Sequence, residues 1–376
     1  MELSSEDLLR LNVLLANRPQ AIRIDESRLV VYGLLERGEA KVALNASGRA
    51  DAYIRAVKEL ISGHILGSPG GYPIYLRRWT RMGQMRDESL EQLLMLGESE
   101  AVVAAVGSPG LTPELARRAW WAMEDAENAR RMLRNPAIAG SEMGVVLADY
   151  LVEYLPFETE HEAMMESVRL VLQPGLLGED RILDLWKKSA RKQAYLVGFL
   201  RARPDDLPVL ESPRADADRI MEALADELAA GNAIAGLLAR VTSAAGQTFL
   251  KTLSSVIAKP PNQEIVSAGF DLLRDYFWAL RPDGDPQLTI DALLADGRVF
   301  AGLENEPPSS GVQRVLERLP GAALDLAAMR VLSGTGYGLI RPLLPDPTTL
   351  GSLMRRKMTP VTEPLQAQLS QLRGGA

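Results

Sequence analysis

The sequence predicts a mainly α-helical protein: a HEAT- or armadillo-like stack of short antiparallel helices following a small N-terminal three-stranded β-meander. Three observations predict it. Apolar residues make up 47% of the 376 residues but aromatics only 5%, and an Ala- and Leu-rich chain poor in aromatics favours helix over sheet. From Asp87 to about Arg203, short apolar-periodic runs each open with a capping residue and close at Gly, Pro or Asn. Short β-type runs occur only between Ala21 and Leu44.

Residues 1–19 read as a short amphipathic helix capped by Ser4 or Ser5 and stopped by Pro19. Ala21-Ile22-Arg23-Ile24, Arg28 to Tyr32 and Ala40 to Leu44 are the three strands, separated by Asp25-Glu26-Ser27 and Glu36-Arg37-Gly38-Glu39 as hairpin turns. Ala50 to Ile61 is helical, with Tyr53, Ile54, Val57, Leu60 and Ile61 on one stripe. The helical train then runs Asp87–Gly97, Ser99–Gly107, Thr112–Met123, Asp125–Asn135, Ser141–Leu155, Thr159–Gln173, Gly178–Lys188 and Ser189–Arg201. Thr112-Pro113-Glu114 is a strong start signal, because proline at the first helical position gives up a donor that has no partner there. Gly67-Ser68-Pro69-Gly70 recurs as Gly107-Ser108-Pro109-Gly110, a spacing within the range of helical repeats.

Four segments follow from this pattern: 1–86 with the first helix, the meander and a Gly/Arg-rich stretch; 87–203, the helical stack; 204–340, a C-terminal helical region; and 341–376, a Pro-rich extended tail. The Pro/Asp-rich run Pro204 to Pro213 marks the main boundary. Beyond it, Ile220, Leu224 and Leu228 predict one long helix, with others over Asn232–Lys259 and Asn262–Leu280.

Composition excludes several functions. Without cysteine there is no disulfide framework, thiol nucleophile or thiolate-bound metal. A net charge of −7 argues against a general nucleic-acid binder. The acidic N-terminus lacks the pattern of a secretory signal, and no apolar run reaches the roughly 20 residues of a membrane span. The expectation is a cytoplasmic protein without membrane, metal or cofactor.

No active site is visible. Of the two histidines, His64 lies near Ser62 and Ser68 but not in a nucleophile elbow, and reads as a loop residue. His161 sits among Glu158, Glu160 and Glu162, yet adjacent helical residues point about 100° apart and cannot chelate together. The loop His64, Gly67, Ser68, Pro69, Gly70, Gly71 lacks the Gly-Lys-Ser/Thr ending of a P-loop. Ser333 to Gly338 has the wrong spacing for a dinucleotide fingerprint. Both read first as turns between packed helices.

Charge blocks are the clearer signal. Residues 141–166 hold seven acids and one base only beyond them, at Arg169; residues 181–203 hold Arg181, Lys187, Lys188, Arg191, Lys192, Arg201 and Arg203 against Asp184; residues 205–229 return to acid. On a continuous helix Lys187, Lys188, Arg191 and Lys192 share one arc, a basic face that a partner or an acidic neighbour within the chain would offset. Arg77, Arg78 and Arg81, interleaved with Tyr75 and Trp79, combine the chemistry of a single-stranded RNA contact with that of an internal knot pairing Asp87, Glu88 and Glu91. Arg77, Arg78, Trp79 and Arg81 are the first candidates for a partner-binding anchor.

Several long stretches carry a family resemblance: Leu11 to Ser27, Ser62 to Pro73, Arg78 to Glu91, Ala116-Arg117-Arg118-Ala119-Trp120-Trp121-Ala122-Met123, and Tyr150 to Glu160. Together they resemble the DsrS family, described as sulfur reduction proteins, and the likeness runs over most of the chain. The resemblance implies a cytoplasmic accessory or regulatory protein of the reverse dissimilatory sulfite reductase system in sulfur-oxidising bacteria. It carries over no catalytic residue. Lacking cysteine, this chain cannot hold sulfur as a persulfide. The expected function is therefore a non-catalytic helical scaffold with a protein partner of that system, RNA being the second partner considered. The rival is a phosphate- or nucleotide-binding enzyme or sensor built on the His64–Gly71 loop and nearby arginines.

Overall fold

Ser4 opens the first helix, Ser5–Ala16, by accepting a hydrogen bond from the Asp7 amide at 3.1 Å, which satisfies one of the donors that a helix start leaves free. The computed structural model describes residues 3–46, 48–67, 87–284, 286–304, 307–344 and 349–375. The fold is mainly helical with one small antiparallel sheet at the N-terminus, the class expected from composition and periodicity. It divides into two units, Met1–Pro156 with Gln173–Leu177, and Phe157–Leu172 with Gly178–Ala376.

In the first unit the meander runs β1 (Ala21–Asp25), β2 (Val30–Leu35) and β3 (Gly38–Ala43) in sheet order β1-β2-β3, with Ile22 opposite Gly33 and Val31 opposite Val42. Gly33 lets the first helix approach closely: a Cβ there would lie 2.7 Å from Leu14 Cδ1. Leu11, Leu14 and Leu15 pack with Ile22, Val31, Val42 and with Tyr53, Ile54, Val57 and Ile61 of helix Ala50–Leu66. The fully buried Asp7 ties these elements together. Its Oδ2 accepts from the Tyr53 hydroxyl at 2.5 Å and from the Asn45 amide at 2.7 Å.

The helical train follows the start signals. Thr112 accepts from the Leu115 amide at 3.2 Å ahead of helix Pro113–Ala122; Asp125 accepts from Glu127 and Asn128 ahead of Ala126–Leu133; Asn135 accepts from Ala137 ahead of Pro136–Ala139. Helix Glu142–Tyr154 completes the unit, packed on Ala126–Leu133 and Pro136–Ala139.

In the second unit, helices His161–Val171 and Gln193–Ala202 cross at Gly198, where a Cβ would sit 2.5 Å from Val168 Cβ. Gly297 plays the same part between Ile290–Phe300 and Ala323–Leu332, 2.7 Å from Val331. The long helices expected after residue 213 are divided. Ala217–Ala223 and Ala225–Ala229 meet at Leu224, and Ala233–Thr242 and Ala244–Ala258 meet at Ser243. Ser243 makes its break with one side chain, donating to the Arg240 carbonyl at 2.7 Å and accepting from the Gly246 amide at 3.1 Å. Ser, like Asn and Asp, competes with the helical backbone in this way.

Pro204–Pro213 lies inside the second unit. Its polar groups are occupied there: Asp205 receives two 2.7 Å bonds from Arg240, and the Glu211 amide donates to the Thr248 hydroxyl at 2.8 Å. The C-terminal segment also departs from expectation. Instead of an extended tail, residues Gly351–Leu372 form a helix that contains Pro360 and Pro364. Met354, Met358, Val361, Leu365, Leu369 and Leu372 are all buried along it, and this apolar face outweighs the helix-breaking effect of the prolines. Gln366 exchanges two hydrogen bonds with Ser254, at 2.6 and 2.8 Å. Arg214 bonds both Asp216 and Asp325 at 2.7 Å and the Leu372 carbonyl at 3.4 Å.

Three outcomes follow for stability. Asp7→Ala leaves the Asn45 amide without its acceptor and the Tyr53 hydroxyl with only the Ser4 hydroxyl at 3.3 Å, and is expected to cost about 3 kcal/mol, measured by urea unfolding. Gly198→Ala forces its methyl into Val168 and should cost about 1–3 kcal/mol; an unchanged midpoint contradicts the close crossing. For Asp296, burial pushes the carboxyl up, but the guanidinium groups of Arg330 and Arg281 outweigh it and hold it below its ordinary 3.8. A lowered carboxyl stabilises above its unfolded pKa, and that contribution is lost as pH falls through the folded value. Asp296→Asn should therefore lower stability by about 2 kcal/mol at pH 7, a difference that narrows as pH falls below the ordinary 3.8, checked by thermal melts across pH.

Candidate interaction surface

The sequence candidates divide by where they fall. Arg77, Arg78, Trp79 and Arg81, with Ser68, Pro69, Gly70 and Gly71, lie outside the described residues. His64 is not in a loop: helix Ala50–Leu66 runs through it, and it sits exposed in the last turn. Gly67 caps that helix in the left-handed conformation, φ 66°, its amide donating to the Gly63 carbonyl at 3.1 Å; glycine is favoured there for want of a Cβ. The buried Ser62 hydroxyl donates to the Glu59 carbonyl at 3.2 Å, so it is not poised on His64.

Lys187, Lys188, Arg191 and Lys192 do not share one helical arc. Helix Glu179–Ser189 stops before Arg191, where the Ser189 hydroxyl donates to the Trp186 carbonyl, and Lys192 is the cap of the next helix, Gln193–Ala202. Lys188 pairs with Asp184 at 3.0 Å, and Lys192 lies 5.4 Å from the Tyr195 ring centroid. Lys187 and Arg191 are exposed. Breaking the helix between the two pairs turns a basic stripe into a turn with its charges separated.

The other motifs resolve into packing. His161 opens helix His161–Val171 with Nδ1 3.2 Å from Asn262 Nδ2. No group of three or more His, Asp or Glu side chains suited to a metal occurs among the described residues. In the Ser333–Gly338 turn, Ser333 and Thr335 are fully buried, and Thr335 donates to the carbonyls of Phe270 and Leu332 at 2.9 and 2.8 Å. That is a packed junction between helices. No helix among the described residues is long and apolar enough to cross a membrane.

Open grooves occur within each unit, among them one in the first unit of about 580 Å³ lined by Ser108, Arg131, Arg134 and Asn135. A groove of about 570 Å³ in the first unit is lined by Arg23, Asp25, Glu26, Arg28, Tyr32, Glu98 and neighbours. Arg23 is held there between the Tyr32 and Trp121 rings, at 4.8 and 5.0 Å, and pairs with Glu39 at 3.2 Å. Lys58 pairs with Glu26 at 2.7 Å. Burial pushes the Glu98 carboxyl up, with Lys58 partly opposing it. In the second unit a groove of about 590 Å³ is lined by Glu162, Arg201, Asn262, Glu264, Asp271 and Tyr337, and Arg201 pairs with Glu162 at 3.0 Å. Charges in the latter two grooves are largely matched by neighbours, leaving no convergent donor set for an anion.

The ion pairs also sort the charge blocks. Six of the eight acids of 205–229 find ion-pair partners: Asp205 with Arg240, Asp206 with Arg203, Glu211 with Lys251, Asp216 with Arg214, Asp226 with Arg318, and Glu227 with Arg314, while Asp218 and Glu222 are exposed without one among the described residues. In the 141–166 block, Glu162 pairs with Arg201 and Glu166 with Arg169. Glu142 and Glu153 have no ion pair among the described residues and are exposed.

Those two acids lie on helix Glu142–Tyr154 together with Asp149. The spacing i, i+7, i+11 sets the three along one line of the helix, about 16 Å from first to last at 1.5 Å per residue. Apolar side chains flank the line. Val145 is 40% exposed, Val146 47% and Tyr154 37%. The opposite face is locked in place: Met143, Leu147, Ala148 and Leu151 are buried, and Gly144 backs onto the Ala139 carbonyl so closely that a Cβ would lie 2.3 Å from it. Tyr150 meets Trp120 edge-on at 4.8 Å and stacks on Tyr154 at 5.9 Å. The result is a rigid, acidic, partly apolar ridge. The acidic block signalled it in the sequence, and the exposed valines beside it are what set it apart from 205–229.

No family model, no curated protein and no solved structure matches the chain.

Proposed function

We propose that the chain is a non-catalytic interaction protein that docks a protein partner on the exposed face of helix Glu142–Tyr154. The observation that carries this reading is the ridge itself. Glu142 and Glu153 have no ion pair while valines and a tyrosine beside them face water, on a helix fixed from behind. Like charges on one helix face repel, and apolar side chains in water gain by being covered; a partner answers both. The resemblance to DsrS supports a setting in cytoplasmic sulfur oxidation, with an accessory or regulatory role. Protein is favoured over RNA as the occupant of this face, because phosphates are repelled by its carboxylates.

The test is co-purification from the cytoplasm of a sulfur-oxidising source cell, comparing wild type with Val146→Lys/Tyr154→Lys. Tyr154 stacks on Tyr150, so the melting temperature of each variant is measured alongside, and Val145→Lys/Val146→Lys, at positions 40% and 47% exposed, repeats the test without touching that stack. A partner recovered with wild type and reduced at least tenfold with the variant is the expected result. Equal recovery with both removes this face from the interaction. If neither recovers a protein, and nucleotides or other anions raise the melting temperature, the sensor reading takes its place.

A further inference from the structure

We propose that a pocket beside Tyr276 binds a small carboxylate with a compact apolar body, of the size of benzoate, and that the Tyr276 hydroxyl and Arg201 hold its carboxyl group. This goes beyond the docking role. The pocket lies in the second unit and the ridge in the first, so either reading can fail without the other.

The pocket has a volume of about 170 Å³. A cavity of about 150 Å³ holds a benzene ring, whereas sites for larger ligands begin at about 300 Å³, so a nucleotide does not fit. Leu200, Pro204, Phe249 and Leu272 supply apolar walls, and Arg201, Arg240, Asp275 and Tyr276 complete the lining. Tyr276 is the unusual member. It is only 5% exposed, and its hydroxyl makes no hydrogen bond among the described residues. Its ring cannot swing to find a partner. The Arg240 guanidinium carbon lies 3.7 Å from the ring centre, and the Phe249 ring stacks on it at 3.9 Å; groups that close must occupy opposite faces. Asp205 stands nearby, but its two carboxylate oxygens each accept from Arg240 at 2.7 Å. A buried hydroxyl without a partner costs stability. Phenylalanine would make the same stacking contacts without that cost, so the hydroxyl calls for an acceptor that the pocket admits.

The open groups select the ligand's charge. Burial pushes the Tyr276 pKa up, which keeps the hydroxyl a neutral donor. Arg201 commits Nη1 to Glu162 at 3.0 Å, and its other N–H groups have no acceptor among the described residues. Arg240 is engaged by Asp205 and, at 3.3 Å, by the Tyr276 carbonyl, so it serves as a wall. Asp275, the one carboxylate of the lining, is exposed and accepts from Arg274 at 3.3 Å. What remains is a hydroxyl and a guanidinium, both donors, beside an apolar recess. A carboxylate offers two acceptor oxygens to such a pair, and its apolar body gains by leaving water.

The experiment is calorimetric titration of the full chain with benzoate, benzamide and acetate, with thermal melts alongside. Benzoate should bind saturably and raise the melting temperature. Benzamide, which keeps the ring and loses the charge, and acetate, which keeps the charge and loses the ring, should each bind at least tenfold more weakly. Tyr276→Phe removes only the hydroxyl. Without ligand it should melt at or above wild type, and it should bind benzoate about tenfold more weakly. Arg201→Gln should weaken benzoate by a similar factor. The inference is overturned if benzoate does not bind, if acetate or benzamide binds as tightly, or if wild type and Tyr276→Phe bind benzoate alike. A Tyr276→Phe protein that melts well below wild type also overturns it, because the hydroxyl is then already satisfied within the fold, by an ordered water for example.

Discussion

Most helices of this protein are too short to stand alone, and that constraint governs the rest of the structure. Runs such as Ser99–Val106, Ala126–Leu133 and Gln193–Ala202 span two or three turns, below the length at which an isolated helix persists in water. Each persists by capping its start and burying one face on a neighbour. Several of those contacts are close because a side chain is missing, at Gly33 under Leu14, Gly198 against Val168 and Gly297 against Val331. In such a structure the buried faces are accounted for by packing. A helix that keeps valines and unpaired acids on its outer face while its inner face is fully engaged has a surface that stability alone does not explain.

Ion pairing supplies the second half of the argument. A chain with a net charge of −7 has more acids than its own bases can match. The second unit uses its arginines on internal acids: Arg214 on Asp216 and Asp325, Arg240 on Asp205, and Arg281 and Arg330 on Asp296. In the first unit, Arg117 and Arg118 engage Glu114, and Arg130 and Arg131 engage Glu127. Glu142 and Glu153 are left over on one helix line, beside the apolar flank. Either feature alone is ordinary for a solvated surface; the functional reading depends on their occurring together on a rigid support.

Local signals were legible in the sequence and distant pairings were not. Thr112-Pro113, Asp125 and Asn262 start helices where their side chains can reach an amide two or three residues on, a rule that needs no tertiary knowledge; Asn135, expected to end a helix, also starts the short one Pro136–Ala139. The meander was readable from its turn residues. Ser243 was missed because a serine inside an apolar-periodic run reads as a tolerated helical residue until its two hydrogen bonds are seen. The helix through Pro360 and Pro364 was missed because local chemistry argues against it, and only the burial of Met354 through Leu372 reverses the balance. Asp7 with Tyr53, 46 residues apart, and Arg214 with Asp325, 111 apart, follow no sequence spacing at all. The acidic ridge belongs to the same class: its block was visible, while the lack of an ion pair at Glu142 and Glu153 among the described residues depends on where the arginines go.

The most direct test of the docking face is site-specific photocrosslinking in the source cell, with benzoylphenylalanine placed at Val146 and, separately, at Val209. Val209 is exposed at 53%, compared with 47% for Val146, but lies away from the ridge in sequence and in the other unit. The account predicts a discrete adduct with one protein at position 146 and none at 209. Adducts at 209 with none at 146, or the same adducts at both, would contradict it.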